Sequence, residues 1–146
     1  MLSGTNFKVL LSLACAAVTS AVPTTGTVFQ ITPGIGACGW TNTSMQAVGS
    51  VSNTTFNHFP GATKNPNKNP ICNQWLRVTV PSKAVHGVQP AGNMTIEVQI
   101  VDFFKESPKA HANDVGIPVR MFSELANVKA GIIPNTTWEI FKEGDA

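Results

Sequence analysis

Charge is scarce in this sequence. Asp, Glu, Lys and Arg make up 12% of the 146 residues, and the formal net charge is +2. A chain so nearly neutral offers no basic stripe to a phosphate backbone or an anionic bilayer, which excludes nucleic acid and membrane surfaces as main partners. Lys64 and Lys68 stand in a loop of Asn and Pro and read as part of a solvated turn, not a phosphate clamp. Long apolar runs are missing too. Val9 to Val18 is about half of the ~20 residues needed to cross a bilayer, and no later segment is long or apolar enough. Tyrosine does not occur at all. There is no Ser-His-Asp order, phosphate loop or dinucleotide fingerprint. His58, His86 and His111 do not share metal-ligand spacing and have no free cysteine pair to help them, so neither metal nor cofactor is expected.

What is present begins with an export signal. Residues 1–21 combine Lys8, the apolar run Val9 to Val18 and the small residues Thr19-Ser20-Ala21, the three parts of a secretory signal peptide. Residues 22–146 are then the mature protein, of a length that suits one domain with its own core. Cleavage removes Lys8, one of ten basic residues, and leaves nine against eight acidic ones. It also removes Cys15, one of three cysteines, so that Cys38 and Cys72 remain as a pair. In an oxidising compartment this arithmetic predicts a Cys38–Cys72 disulfide, worth about 3 to 4 kcal/mol in the chain-entropy model. Cys38 lies in Thr32–Trp40, where Pro33, Gly34, Gly36 and Gly39 crowd into nine residues and call for a tight turn pinned at one point. A cysteine in such a turn also has the form of a nucleophile site, but no base is fixed beside it. Sequons at Asn42, Asn53, Asn93 and Asn135 mark candidate glycans on surface loops and fit a protein secreted to the extracellular space or cell wall.

Hydrophobic periodicity gives mostly strands. Trp75 to Val80 alternates, with Leu76, Val78 and Val80 on one face, and Asn93 to Phe103 does the same through Ile96, Val98 and Ile100. Shorter strands are predicted at Val28 to Ile31, Met45 to Val51 and Thr136 to Phe141, and one more around Ala84 to Val88. Asn53 to Asn73 reads as a long irregular loop anchored by Phe56 and Phe59, with Pro60-Gly61 and repeated Asn-Pro pairs forcing turns. Met121, Phe122 and Leu125 recur at helical spacing after Pro118, so a short helix is predicted over Val119 to Asn127. Many short strands, heavy Gly and Pro punctuation and one helix point to a closed or nearly closed all-β barrel.

Five stretches in order carry a resemblance. They are Gly-Ile-Gly-Ala-Cys-Gly-Trp-Thr-Asn at 34–42, Phe-Pro-Gly at 59–61, Asn-Pro-Ile-Cys at 69–72, Val-Gln-Ile-Val-Asp at 98–102, and Phe-Ser-Glu-Leu at 122–125 ahead of Gly-Ile-Ile and Thr-Trp-Glu-Ile-Phe. Together the sequence resembles small secreted fungal double-psi β-barrel proteins of the barwin-like, rare-lipoprotein-A-like and expansin-like kind, including the riboflavin-aldehyde-forming-enzyme-like subgroup. The resemblance implies an all-β, six-stranded double-psi β-barrel with one short helix. It also implies a polysaccharide groove holding Asp102 and Asp114, the latter at the position of the general acid in related family 45 glycoside hydrolases. The second carboxylate those hydrolases need has no counterpart here, so no turnover is expected. Where relatives carry Thr and Tyr in the first strand, Phe29 and Ile31 stand here, and the positions of a second cysteine pair hold Phe104 and Ser107.

Each candidate also has a plain structural reading. Asp102 ends a strand and would equally accept backbone N–H groups; Asp114 would cap the helix region; Trp40, beside a disulfide, would be core as readily as a sugar platform. With Phe104 as a second aromatic, the expected function is a monomeric, secreted, non-catalytic expansin-like protein that binds and loosens cell-wall polysaccharide, whether chitin, cellulose or β-glucan. The alternative is a secreted effector or protease-inhibitor-like module that uses the barrel as scaffold and its loops to bind a protein.

Overall fold

The computed structural model describes residues 22–81 and 93–144. The signal segment and the strand expected around Ala84 to Val88 lie outside the described residues. Six strands form the fold: β1 (Thr24–Ile31), β2 (Val48–Ser52), β3 (Gln74–Val80), β4 (Met94–Phe104), β5 (Val115–Pro118) and β6 (Ile132–Lys142). They close into a barrel in the order β1-β5-β2-β4-β3-β6. Two neighbouring pairs, β1 with β5 and β2 with β4, run parallel, and the other four are antiparallel.

β3 and β4 pair residue for residue from Trp75–Gln99 to Val80–Met94, and their alternation sends Leu76, Val78, Val80, Ile96, Val98 and Ile100 into the interior. The interior is completed by Val28, Val115, Ile117 and Ile133 from the other strands. Burying each such side chain contributes about 1.5–3 kcal/mol of transfer free energy. On the outer face of the same strands Arg77 bridges Glu97 at 2.9 Å and Glu139 at 2.8 Å and lies over the Phe141 ring. These groups hold its guanidinium pKa above the usual value, the Glu97 hydrogen bond first.

β5 has no counterpart among the expected strands. All four of its residues are buried, so it shows no alternation, the signal on which a strand assignment rests. The 53–73 stretch is more regular than its composition suggests. Helix α1 (Asn53–Asn57) is capped by Ser52, whose Oγ accepts from Thr55 N–H, and it buries Phe56. Two 3-10 turns follow at Pro66–Lys68 and Pro70–Asn73, each started by an Asn that accepts from the N–H two residues on. Helix α2 (Val119–Leu125) packs Met121, Phe122 and Leu125 inward, as predicted, and ends two residues earlier than expected.

The β1–β2 connection carries the glycine-rich turn. Cys38 and Cys72 form the disulfide, both buried, across 34 residues of chain. Cys38 N–H also donates to Val101 O at 3.1 Å. Gly36 lies so close to β4 that a Cβ there would sit 2.3 Å from Val101 O, which reserves the position for glycine.

Candidate functional site

β4 pairs with β2 through Gly49–Ile100 and then Ser50–Asp102, skipping Val101. This one-residue bulge shifts the alternation of the strand. Phe103 packs against the core, and Asp102 and Phe104 turn to the outer face. Across that face four strands bring four residues into register: Phe29 opposite Gly116, Gly116 opposite Ser50, and Ser50 opposite Asp102.

Gly116 lets its neighbours close in over the sheet. A Cβ there would lie 2.5 Å from Ser50 Oγ and 2.6 Å from Ile31 Cγ2, so these two side chains occupy the space that a side chain at 116 would need. Beside this row lies a groove with a volume of about 250 Å³, lined by Ile31, Pro33, Asn42, Ser50, Asp102 and Phe104, among others. Phe104 meets Phe29 edge to face, with ring centroids 4.9 Å apart.

The polar groups differ in how they are held. Asp102 Oδ1 accepts from Ala37 N–H at 2.9 Å and Phe103 N–H at 2.8 Å. Its Oδ2 takes no hydrogen bond from the described residues. Asn42 is buried, and its Nδ2 donates to Trp40 O at 2.9 Å. That nitrogen is the one a glycan would need, so the Asn42 sequon is closed in the folded protein, unlike exposed Asn93 and Asn135 and half-buried Asn53. Ser50 Oγ is buried and has no hydrogen-bond partner among the described residues.

Asp114 and Trp40, expected in the same groove, do not line it. Asp114 is 4% exposed, and both of its oxygens are used: Oδ1 accepts from Thr27 N–H at 2.8 Å and Oδ2 from His111 N–H at 2.7 Å. The carboxylate thus staples β1 to the turn before β5. Trp40 is 40% exposed on the glycine-rich loop, which also exposes Ile35 and Met45. The structure therefore joins Asp102 to Phe104 and separates them from Asp114 and Trp40. Ser50 and Gly116 escape the sequence reading. The signal for Gly116 is an isolated glycine between Val115 and Ile117, the mark of a close approach to a strand; Ser50, in Val-Gly-Ser-Val-Ser, resembles any solvent-facing strand position.

No protein-family model and no curated protein matches this sequence. Solved structures match by fold. Streptomyces papain inhibitor aligns with a TM-score of 0.63 and 22% identity, over 83% of this chain and 96% of the inhibitor. Clavibacter michiganensis expansin aligns with a TM-score of 0.55 both as a point mutant in complex with cellohexaose, at 18% identity, and as the apo protein, at 17%. In each case the match covers 84% of this chain and 52% of the expansin, so the chain spans about half the expansin's length. With the closed six-stranded mixed barrel, these neighbours define the class of the fold as a double-psi β-barrel.

Proposed function

We propose that this protein is a secreted, monomeric, non-catalytic double-psi β-barrel that binds neutral cell-wall polysaccharide and loosens or masks it. The observation that carries this reading is the convergence of the Asp102 carboxylate and the Phe104 ring in one open groove. An aromatic face suits the C–H side of a pyranose, and a carboxylate oxygen accepts from its hydroxyls more strongly than a neutral group does. Asp102 is the one carboxylate among the groove's described lining residues, so an acid and base pair for inverting hydrolysis is not assembled there. Its negative charge also disfavours uronic-acid polymers and favours chitin, cellulose or β-glucan. The signal at residues 1–21 and glycans at Asn53, Asn93 and Asn135 belong to the same proposal.

The test is a pull-down of the mature protein with insoluble chitin, cellulose and β-glucan. At least one neutral polymer is expected to retain it, and Asp102→Ala, checked for folding, to lose about tenfold in affinity, the scale of a hydrogen bond to a charged group. Failure of the wild type to bind all three polymers would reject this function.

A second reading rests on a separate observation. Ile35, Trp40 and Met45 leave 80%, 40% and 67% of their surfaces exposed along one connection. Apolar residues so exposed on a scaffolded loop suit a protein partner, such as the secreted protease of an inhibitor-like module. Retention by a secreted protease in place of the polymers would favour it.

A further inference from the structure

Ser50 Oγ is the one buried side-chain polar atom, among the described residues, that has no hydrogen-bond partner. Such a group costs the fold the hydration it gave up and returns nothing. Other buried polar side chains nearby are satisfied: Ser52 Oγ donates to Ala112 O, and Thr136 Oγ1 donates to Ile133 O. The exception falls at the floor of the groove, between Gly116 and Asp102 in the same row of strand positions. Its neighbourhood is shaped around it. Gly116 supplies no side chain, and Ile31, the last residue of β1, lies over the pair with its Cγ2 2.6 Å from the point a Gly116 Cβ would occupy. Ile31 is half-buried and lines the groove, so a rotamer change at the strand end opens a way to Oγ.

Building on the polysaccharide reading of this groove, we propose that Ser50 is a specificity-determining residue whose Oγ pairs with a hydroxyl of a neutral sugar once Ile31 turns aside. The sugar hydroxyl would enter the space that Ile31 vacates, accept from Ser50 Oγ and donate its own proton to the neighbouring Asp102 Oδ2. The ligand class is a polyol presenting adjacent hydroxyls. A ligand carrying only apolar groups at that point leaves Oγ unpaired and gains nothing from it. The hydroxyl is thus kept for binding at the expense of stability, as polar groups at functional sites often are.

The experiment compares wild type with Ser50→Ala by calorimetric titration with soluble cello-, chito- and laminari-oligosaccharides, alongside thermal melts. Ser50→Ala is expected to weaken binding of the best oligosaccharide about five- to tenfold, one hydrogen bond's worth, while raising Tm by about 2–4 °C because an unpaired hydroxyl has been removed. Equal binding by the two proteins overturns the role of Ser50 and leaves the polysaccharide function standing. A lower Tm in the variant also overturns it, by showing that the hydroxyl supports the fold. Failure of the wild type to bind any oligosaccharide overturns both together, and so is distinct from the first two results.

Discussion

Glu106 shows how much a single surface side chain can fix in a loop-rich fold. Its Oε1 accepts from Thr54 N–H at 2.7 Å, satisfying a free donor in the first turn of α1 from a residue 52 positions away. Hydrogen bonds from the Thr54 side chain and backbone, in that order, hold its carboxyl below the usual value of 4.5. Since the folded pKa is the lower one, the stabilisation is present above the unfolded pKa and is lost as pH falls through the folded pKa. Glu106 is half-buried at the surface, so the effect is local and screened. An NMR pH titration should move the Thr54 amide with a midpoint below 4.5, and Glu106→Gln should abolish that transition; a midpoint at or above the ordinary value would contradict it. Other residues were unequally legible. Asp102 accepts backbone N–H groups, as its position at a strand end suggested, and it also lines the groove, where binding is the proposal. Ser50 and Gly116 were not legible as site residues, because their meeting depends on which strands pair and in what register.

Among the elements, the glycine-rich connection matters most, since it forms one wall of the groove. It is tied to β4 at two adjacent points, Ala37 N–H to Asp102 Oδ1 and Cys38 N–H to Val101 O, and to the 3-10 turn before β3 by the Cys38–Cys72 disulfide. A Cys38→Ala/Cys72→Ala variant is therefore expected to lose about 3–4 kcal/mol in urea unfolding, the chain-entropy value for a loop of this length, and to bind polysaccharide more weakly as the wall loosens. A loss below about 1 kcal/mol would show that the two hydrogen bonds hold the loop alone. Legibility at this scale followed periodicity. β3 and β4 face core on one side and solvent on the other, and their alternation was plain. β5 is buried throughout and α1 has five residues, too few to display a helical period. The Val101 bulge, which decides that Asp102 and Phe104 turn to the outer face, leaves no mark in the sequence.

For the whole molecule, the closed barrel rests on pairings that no local pattern encodes. β1 meets β5 and β2 meets β4 in parallel across long stretches of chain; the barrel class was anticipated from ordered family-like motifs, but these pairings were not. The topology also sets the two candidate surfaces: the groove between β1, β5, β2 and β4, and the exposed apolar loop carrying Ile35, Trp40 and Met45. The most direct test of groove-based binding is a ¹⁵N–¹H NMR perturbation map of the mature protein titrated with the oligosaccharide it prefers. Shifts are expected to concentrate at Ile31, Asn42, Ser50, Asp102 to Phe104 and Gly116, with Arg77 and Thr79 on β3, outside the groove, unmoved. Shifts centred on Ile35, Trp40 and Met45, or none at saturating sugar, would contradict polysaccharide binding in the groove.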